Sequence, residues 1–409
     1  MRLLLCLLLS FLYASTLSEK ARFDHYRVHR LQLTTDDQWK ALLSTTLPGG
    51  LLLWGVFKDR GHVDILVPPH QRAVFDDLVQ GLNITNYLMV ENLQSLIDEQ
   101  EPPENSTVFG WTSYQPLSQI NNWLDSQAKE YPNVVTTLIG GRSFEEREIR
   151  GIKISYKSGN RGVFLEGGIH GREWISPATV TYIVNQLLRS NDKSVREIAE
   201  NYDWYIFPVV NPDGYEYTFT TDRTWRKNRA PSSQTCYGTD LNRNWDSYWN
   251  ETGTSSDPCT NKYPGPSAFS EVESRTLSQY ISSISHQLHV YLSFHSPGQM
   301  IMFPYGYTKI MAPNHDQLMG IAKKAAKEIK KRYGTQYKYG PISKVIYPAS
   351  GDSLDWVYDK LRINTSIVFE LREHEPYSFL LPSEEIIPAA EETLDAVVSI
   401  LQDAREIPR

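Results

Sequence analysis

Residues 26–33, "YRVHRLQL", alternate between apolar and polar, the pattern of a strand with one buried face. The next window, "TDDQWKALLSTT", reads as a helix. It opens with Thr35 three residues before Gln38, the spacing of a capping box. "LLLWGVF" and "HVDILVP" follow as strands, "HQRAVFDDLVQGL" as a helix and "NYLMVE" as a strand. Strand, helix, two strands, helix, strand is the order of a small ferredoxin-like α+β sandwich. A helical stretch, "NLQSLIDEQ", and a polar, proline-bearing one, "EPPENST", close it, so a domain boundary falls near Asn105. From about residue 115 onward, strand-like and long helix-like windows alternate, as in a large α/β sheet.

Composition narrows the class. With 409 residues, 40% of them hydrophobic, the chain reads as globular. A net charge of −7 provides no basic field for nucleic acid. The cationic run "KKAAKEIKK", residues 323–331, has the spacing of a solvated helix face. At the N-terminus Arg2 precedes an apolar stretch, Leu3 to Tyr13, and then small residues, which reads as a secretory signal over residues 1–17. No later segment offers about 18 apolar residues in a row, so the expectation is a secreted, extracellular protein with no membrane span. Cys6 leaves with the signal, and the remaining even pair, Cys236 and Cys259, is expected to form one disulfide. Asn83, Asn105, Asn250 and Asn364 begin glycosylation sequons. Asn364 leads into a strand-like run and is expected to stay unmodified.

The chemistry gathers around "GGIHGREW", residues 167–174. A strand-like run, "GVFLEGG", precedes it. A helix-like run follows, in which Ser176 is the expected N-cap and Pro177 the first helical residue. Between them, where a short turn would suffice, stand His170, Arg172 and Glu173. The strand "QLHVYLSF" ends in His295, and the strand "INTSIVF" ends in Glu370. In α/β sheets with parallel strands, ligands bind at the carboxyl ends of strands, where His170, Glu173, His295 and Glu370 would converge. Two imidazoles and one carboxylate leave a fourth position open on Zn²⁺, the pattern of a catalytic site. The spacing differs from His-Glu-x-x-His, which places both histidines on one helix.

Seven segments carry a resemblance, in this order: "GGIHGREWISPAT", "VNPDGYEY", "RTWRKNR", "TDLNRNWD", "YLSFHSPGQ", "VIYPASGDSLDW" and "IVFELRE". Together they resemble the secreted zinc metallocarboxypeptidases of the pancreatic procarboxypeptidase A/B type, over nearly the whole chain. The resemblance implies a large mixed twisted sheet with helices on both faces, spanning residues 106–409. An activation pro-domain with its connecting segment would occupy residues 18–105. It implies one zinc per chain on His170, Glu173 and His295, with Asp240 orienting His170. Glu370 is implied as general base and Arg226 as the group facing the oxyanion. Asn242 and Arg243 would clamp the substrate's terminal carboxylate, Tyr347 would close over it, and Arg172 would contact the peptide upstream. A complete ligand set with its base weighs against a catalytically silent binding protein on the same fold. The Arg243 clamp and pro-domain weigh against a zinc hydrolase acting on small acyl-amino acids.

Three further expectations follow. In this family the bond after the motif histidine-serine is cis; here it is Ser296–Pro297, where proline lowers the cost of cis and replaces the family's aromatic residue. Leu354 stands where B-type enzymes carry an acid. With Ile342, Ile346, Ala349 and Val368 it would form an apolar pocket for apolar and aromatic C-terminal residues, with B-type or mixed specificity as the alternative if Asp352 turns inward. No Lys or Arg lies between Arg72 and Lys129, so the activating protease is expected to be non-tryptic, cutting between about Asp98 and Gly110. Peptide and protein substrates are the expected partners, and a monomer the expected state.

Overall fold

The computed structural model describes residues 20–43, 50–57, 60–101 and 108–405. The signal-like segment and the linker sequon at Asn105 lie outside these residues. The first unit consists of β1 (Arg27–Gln32), α1 (Asp36–Leu43), β2 (Leu52–Phe57), β3 (His62–Val67), α2 (Arg72–Gly81), β4 (Thr85–Val90) and α3 (Leu93–Glu99). Its sheet has the order β2-β3-β1-β4, with every pairing antiparallel, which is the ferredoxin-like arrangement. The capping box at α1 forms reciprocally: Gln38 N donates to Thr35 Oγ1 at 3.3 Å, and Thr35 N donates to Gln38 Oε1 at 3.2 Å.

The second unit contains α4 (Leu117–Glu130), β5 (Val135–Arg142), β6 (Glu148–Ile154), β7 (Arg161–Gly167), α5 (Ile175–Arg189), α6 (Lys193–Asn201), β8 (Tyr202–Phe207) and α7 (Pro212–Thr220). It continues through α8 (Val272–Ile284), β9 (Leu288–His295), β10 (Met300–Phe303), α9 (His315–Tyr333), β11 (Lys338–Pro341) and α10 (Ile342–Val345). It ends with α11 (Ser353–Leu361), β12 (Thr365–Glu370) and α12 (Ile386–Ala404). Its eight-stranded sheet runs β11-β10-β12-β9-β7-β8-β6-β5. The central strands β12, β9, β7 and β8 are mutually parallel, and antiparallel pairs flank them, so the sheet is mixed. These strands are buried on both faces and read as near-continuous apolar runs. One large core packs α5, α9 and α12 against one side, and a second packs α8 and α11 against the other. The lysines of "KKAAKEIKK" stand exposed along α9, while Ala325, Ala326 and Ile329 face inward. Cys236 and Cys259 are joined in a disulfide.

One local expectation is corrected. Ser176 does not cap α5; the helix begins at Ile175, two residues before the expected Pro177, with Trp174 at the cap position. The Ser176 hydroxyl instead accepts from Gly168 N at 3.0 Å and donates to Phe294 O at 2.6 Å. It ties the turn after β7 to the end of β9, so a residue typical of helix caps serves a tertiary bond.

Candidate active site

Strand register brings the chemistry together. β9 lies between β7 and β12, with Gly167 opposite Phe294 and Glu370 opposite His295. His295 and Glu370 are the last residues of their strands, and His170 lies three residues past the end of β7. The turn carrying His170 needs its glycines. Gly168 adopts φ +63°, and a Cβ at Gly171 would lie 2.4 Å from Gly214 O. Gly171 N donates to Arg226 O at 3.0 Å, and Asn211 Nδ2 donates to Ile169 O at 3.0 Å, so the turn is held on both sides of His170.

His170 and Glu173 are each 3% exposed, and His295 2%. His170 Nδ1 lies 2.8 Å from Glu173 Oε1 and 3.2 Å from His295 Nδ1; His295 Nδ1 lies 3.3 Å from Glu173 Oε2. A tetrahedral site with zinc–ligand bonds near 2.05 Å has edges of about 3.3 Å, so this spacing suits zinc. Asp240, fully buried, accepts from His170 Nε2 at 3.2 Å. A carboxylate accepts only, so that contact fixes the proton on Nε2 and turns the Nδ1 lone pair toward an acceptor oxygen of Glu173. Two acceptors in contact need a cation between them. Among the described residues this is the one group of three or more His, Cys, Asp or Glu side chains converging this closely.

Charge tunes the site. Burial opposes the ionised form of Glu173, but His170 and His295 outweigh it and hold the carboxyl well below its usual range. Burial, together with Arg226, lowers the pKa of His170. Burial presses His295 down too, yet bonding to Glu173 outweighs it and lifts that pKa to about 9. Burial pushes Glu370 up to about 8, with His295 opposing and Glu173 reinforcing the shift.

A cavity of about 100 Å³ adjoins these residues. Arg226, Asn242, Arg243, Ile342, Ile346, Tyr347, Ala349, Leu354, Val368 and Glu370 all line it, together with His170 and His295. Arg226 Nη2 donates to Asp240 Oδ2 at 2.9 Å, and its Nη1 lies 3.5 Å from Glu173 Oε1. Arg243 donates to Asn242 O at 2.7 Å and, from Nη2, to Tyr347 OH at 3.5 Å. Asp352 also faces the cavity. Its Oδ1 accepts from Asp355 N at 2.8 Å and caps α11, while its buried Oδ2 has no hydrogen-bond partner. Arg172 stands outside the cavity, its guanidinium 3.9 Å from the centre of the Phe379 ring. The Ser296–Pro297 bond is cis.

Sequence reasoning missed Ser293, Met302 and Ser353, which also line the cavity. Strand periodicity held the signal for Ser293: it lies two residues before His295 and so faces the same way. Met302 is paired across to Val368, a register that local sequence does not reveal.

A mixed α/β sheet with two imidazoles, a carboxylate and a free carboxyl at one strand edge defines a zinc-dependent hydrolase architecture. Residues 120–396 match the zinc carboxypeptidase family and residues 29–100 the carboxypeptidase activation peptide; the chain belongs to the zinc carboxypeptidases and carries an activation peptide. Zinc carboxypeptidase A 1 of Anopheles gambiae is 44% identical over 95% of this chain and 91% of its own length. Zinc carboxypeptidase of Simulium vittatum is 52% identical over 72% of this chain and 97% of its own. The crystal structure of thrombin activatable fibrinolysis inhibitor superposes with a TM-score of 0.85 at 30% identity, covering 94% of this chain and all of that one. Relatives named carboxypeptidase A and carboxypeptidase B both occur.

Proposed function

We propose that the chain is the secreted zymogen of an exopeptidase that hydrolyses the last peptide bond of peptides and proteins, preferring apolar and aromatic C-terminal residues. The observation carrying this reading is the cavity that joins the His170–Glu173–His295 cluster to Arg243 and a Leu354 wall. His170, Glu173 and His295 would hold one zinc, which supplies Lewis acidity there. Glu370 takes a proton from the attacking water and passes it to the leaving amine. Arg226 donates to the oxygen that gains charge. Asn242 and Arg243 grip the substrate's terminal carboxylate, Tyr347 covers it, and Arg172 holds the chain upstream. That grip confines cleavage to the C-terminal residue. Ile342, Ile346, Ala349, Leu354 and Val368 present an apolar surface to the departing side chain, where an unpaired cation would be costly.

The free Oδ2 of Asp352 supports a second reading, in which Lys and Arg are also accepted. Digesting one peptide series that ends in Phe, Leu, Lys or Arg decides between them. Phe and Leu are expected to leave fastest; faster release of Arg than of Phe would establish the second reading. Exposed Asn83 and Asn250 are the proposed glycan sites within the described residues, and a monomer the proposed state. In the absence of a linker cation, the proposed activator is a protease of non-tryptic specificity.

A further inference from the structure

Beyond Glu370 the chain continues as a strap, residues 373–381, outside the lining of the side-chain cavity. Gly298 N and Gln299 N both donate to Leu371 O at 3.1 Å, and Glu373 N donates to Gln299 Oε1 at 3.4 Å. Phe379 of the strap packs under Arg172, and no strap residue lines the cavity. With Arg172 as the upstream contact proposed above, Phe379 beneath it puts this strap on the path of a peptide held at Arg243 by its terminal carboxylate.

In the zymogen the strap is occupied by cations. Arg30 and Arg60 of the activation domain both donate to Glu375, and Arg60 Nη1 lies 3.3 Å from Glu373. Arg30 brings its own counter-ion, paired through two 2.8 Å bonds with Asp64. Trp54 stands edge-on to Phe379 at 5.6 Å, and its Nε1 donates to Pro376 O at 3.4 Å. An aromatic ring and two guanidinium groups thus lie where upstream substrate residues would run. Among the described residues, every ion pair of Glu375 comes from the activation domain. Glu373, with a side chain only 6% exposed, also feels Lys338 of the catalytic domain.

We propose that, once the activation domain has left, Glu375, with Glu373 beside it, receives a basic side chain of the substrate two to four residues before the scissile bond. The enzyme then favours substrates that combine a C-terminal residue suited to its cavity with Arg or Lys upstream. The inference rests on the carboxypeptidase reading. Its chemical ground is that the surface already binds guanidinium groups, which depart on activation and leave the Glu375 carboxylate without those cations.

The test uses the zinc-loaded full chain, cut in its linker and freed of the activation peptide. Peptides with one common C-terminal residue carry Arg, Ala or Glu at the upstream positions. The Arg peptide is expected to exceed the Ala peptide about tenfold in kcat/KM at low salt, chiefly through KM, and the advantage should shrink as salt screens it. Glu375→Gln should bring the Arg-to-Ala ratio near one, and Glu375→Arg should favour the Glu peptide. Each ratio is internal to one preparation, so partial misfolding cancels. Release with no Arg advantage, or an advantage that survives Glu375→Gln, overturns the inference alone. Failure to release any C-terminal residue overturns the underlying reading and the inference with it.

Discussion

His170 faces two acceptors, and each sets what one side of its ring does. Asp240 holds the Nε2 proton, which leaves Nδ1 for the metal. Asp240→Ala should keep the fold and lower zinc affinity about 10- to 100-fold, measured by competition with a chelator. His295→Ala removes a ligand outright and should abolish stoichiometric zinc in the purified protein; retention of one zinc per chain would disqualify the ligand set. Glu370 lies beside the cluster without belonging to it, so Glu370→Gln should retain zinc while kcat falls by about 10²–10⁴. The sign of its pH dependence follows from burial. A carboxyl pushed up to about 8 must lose its proton before acting as base, so activity should rise with pH along that limb. Zinc adds positive charge nearby and moves the limb below 8. Activity that rises toward acid would contradict the assignment.

At the scale of elements, a few side chains hold the strand ends together. Removing the Ser176 hydroxyl leaves Gly168 N and Phe294 O buried without their partner, so Ser176→Ala should cost about 1–3 kcal/mol in denaturant unfolding. A cost near zero would show that the bridge is dispensable. Opening the 23-residue loop between Cys236 and Cys259 should cost about 3 kcal/mol on the chain-entropy estimate. The same scale shows what a linear reading reaches. The ferredoxin-like order was legible because each strand and helix has its own periodicity, and the Thr35–Gln38 cap because its signal lies within four residues. His295 and Glu370 were legible as strand ends. Ser176 was misread, because its partners lie 8 and 118 residues away and a serine before a proline looks the same from either side. The unpartnered Oδ2 of Asp352 was equally out of reach: a carboxylate's direction depends on the helix it caps, and here one oxygen of Asp352 accepts from Asp355 N while the other is buried without a hydrogen-bond partner.

At the scale of the whole molecule, activation requires cutting a connecting segment that offers trypsin no site, because no Lys or Arg lies between Arg72 and Lys129. Arg72 begins α2, and Lys129 lies inside α4, where cleavage would need local unfolding. The basic residues on the docking face are engaged as well: Arg30 and Arg60 are held by Asp64, Glu373 and Glu375. The N-terminal side of the proposed window is restrained. Gln100 is 2% exposed, donates to Leu381 O at 2.7 Å and accepts from Arg223 Nε at 3.0 Å, which clamps the end of α3 to the catalytic domain. The cut is therefore expected after Gln100 and before Gly110, by a protease that accepts acidic, polar or apolar residues. Freed at that point, the activation peptide keeps Gln100 and its arginines, so release should lag behind cleavage and quicken with salt. Brief trypsin treatment of the intact proprotein should give no active enzyme with an N-terminus in that window. An active product beginning between residues 101 and 110 after trypsin would overturn the assignment, and N-terminal sequencing of the product decides it.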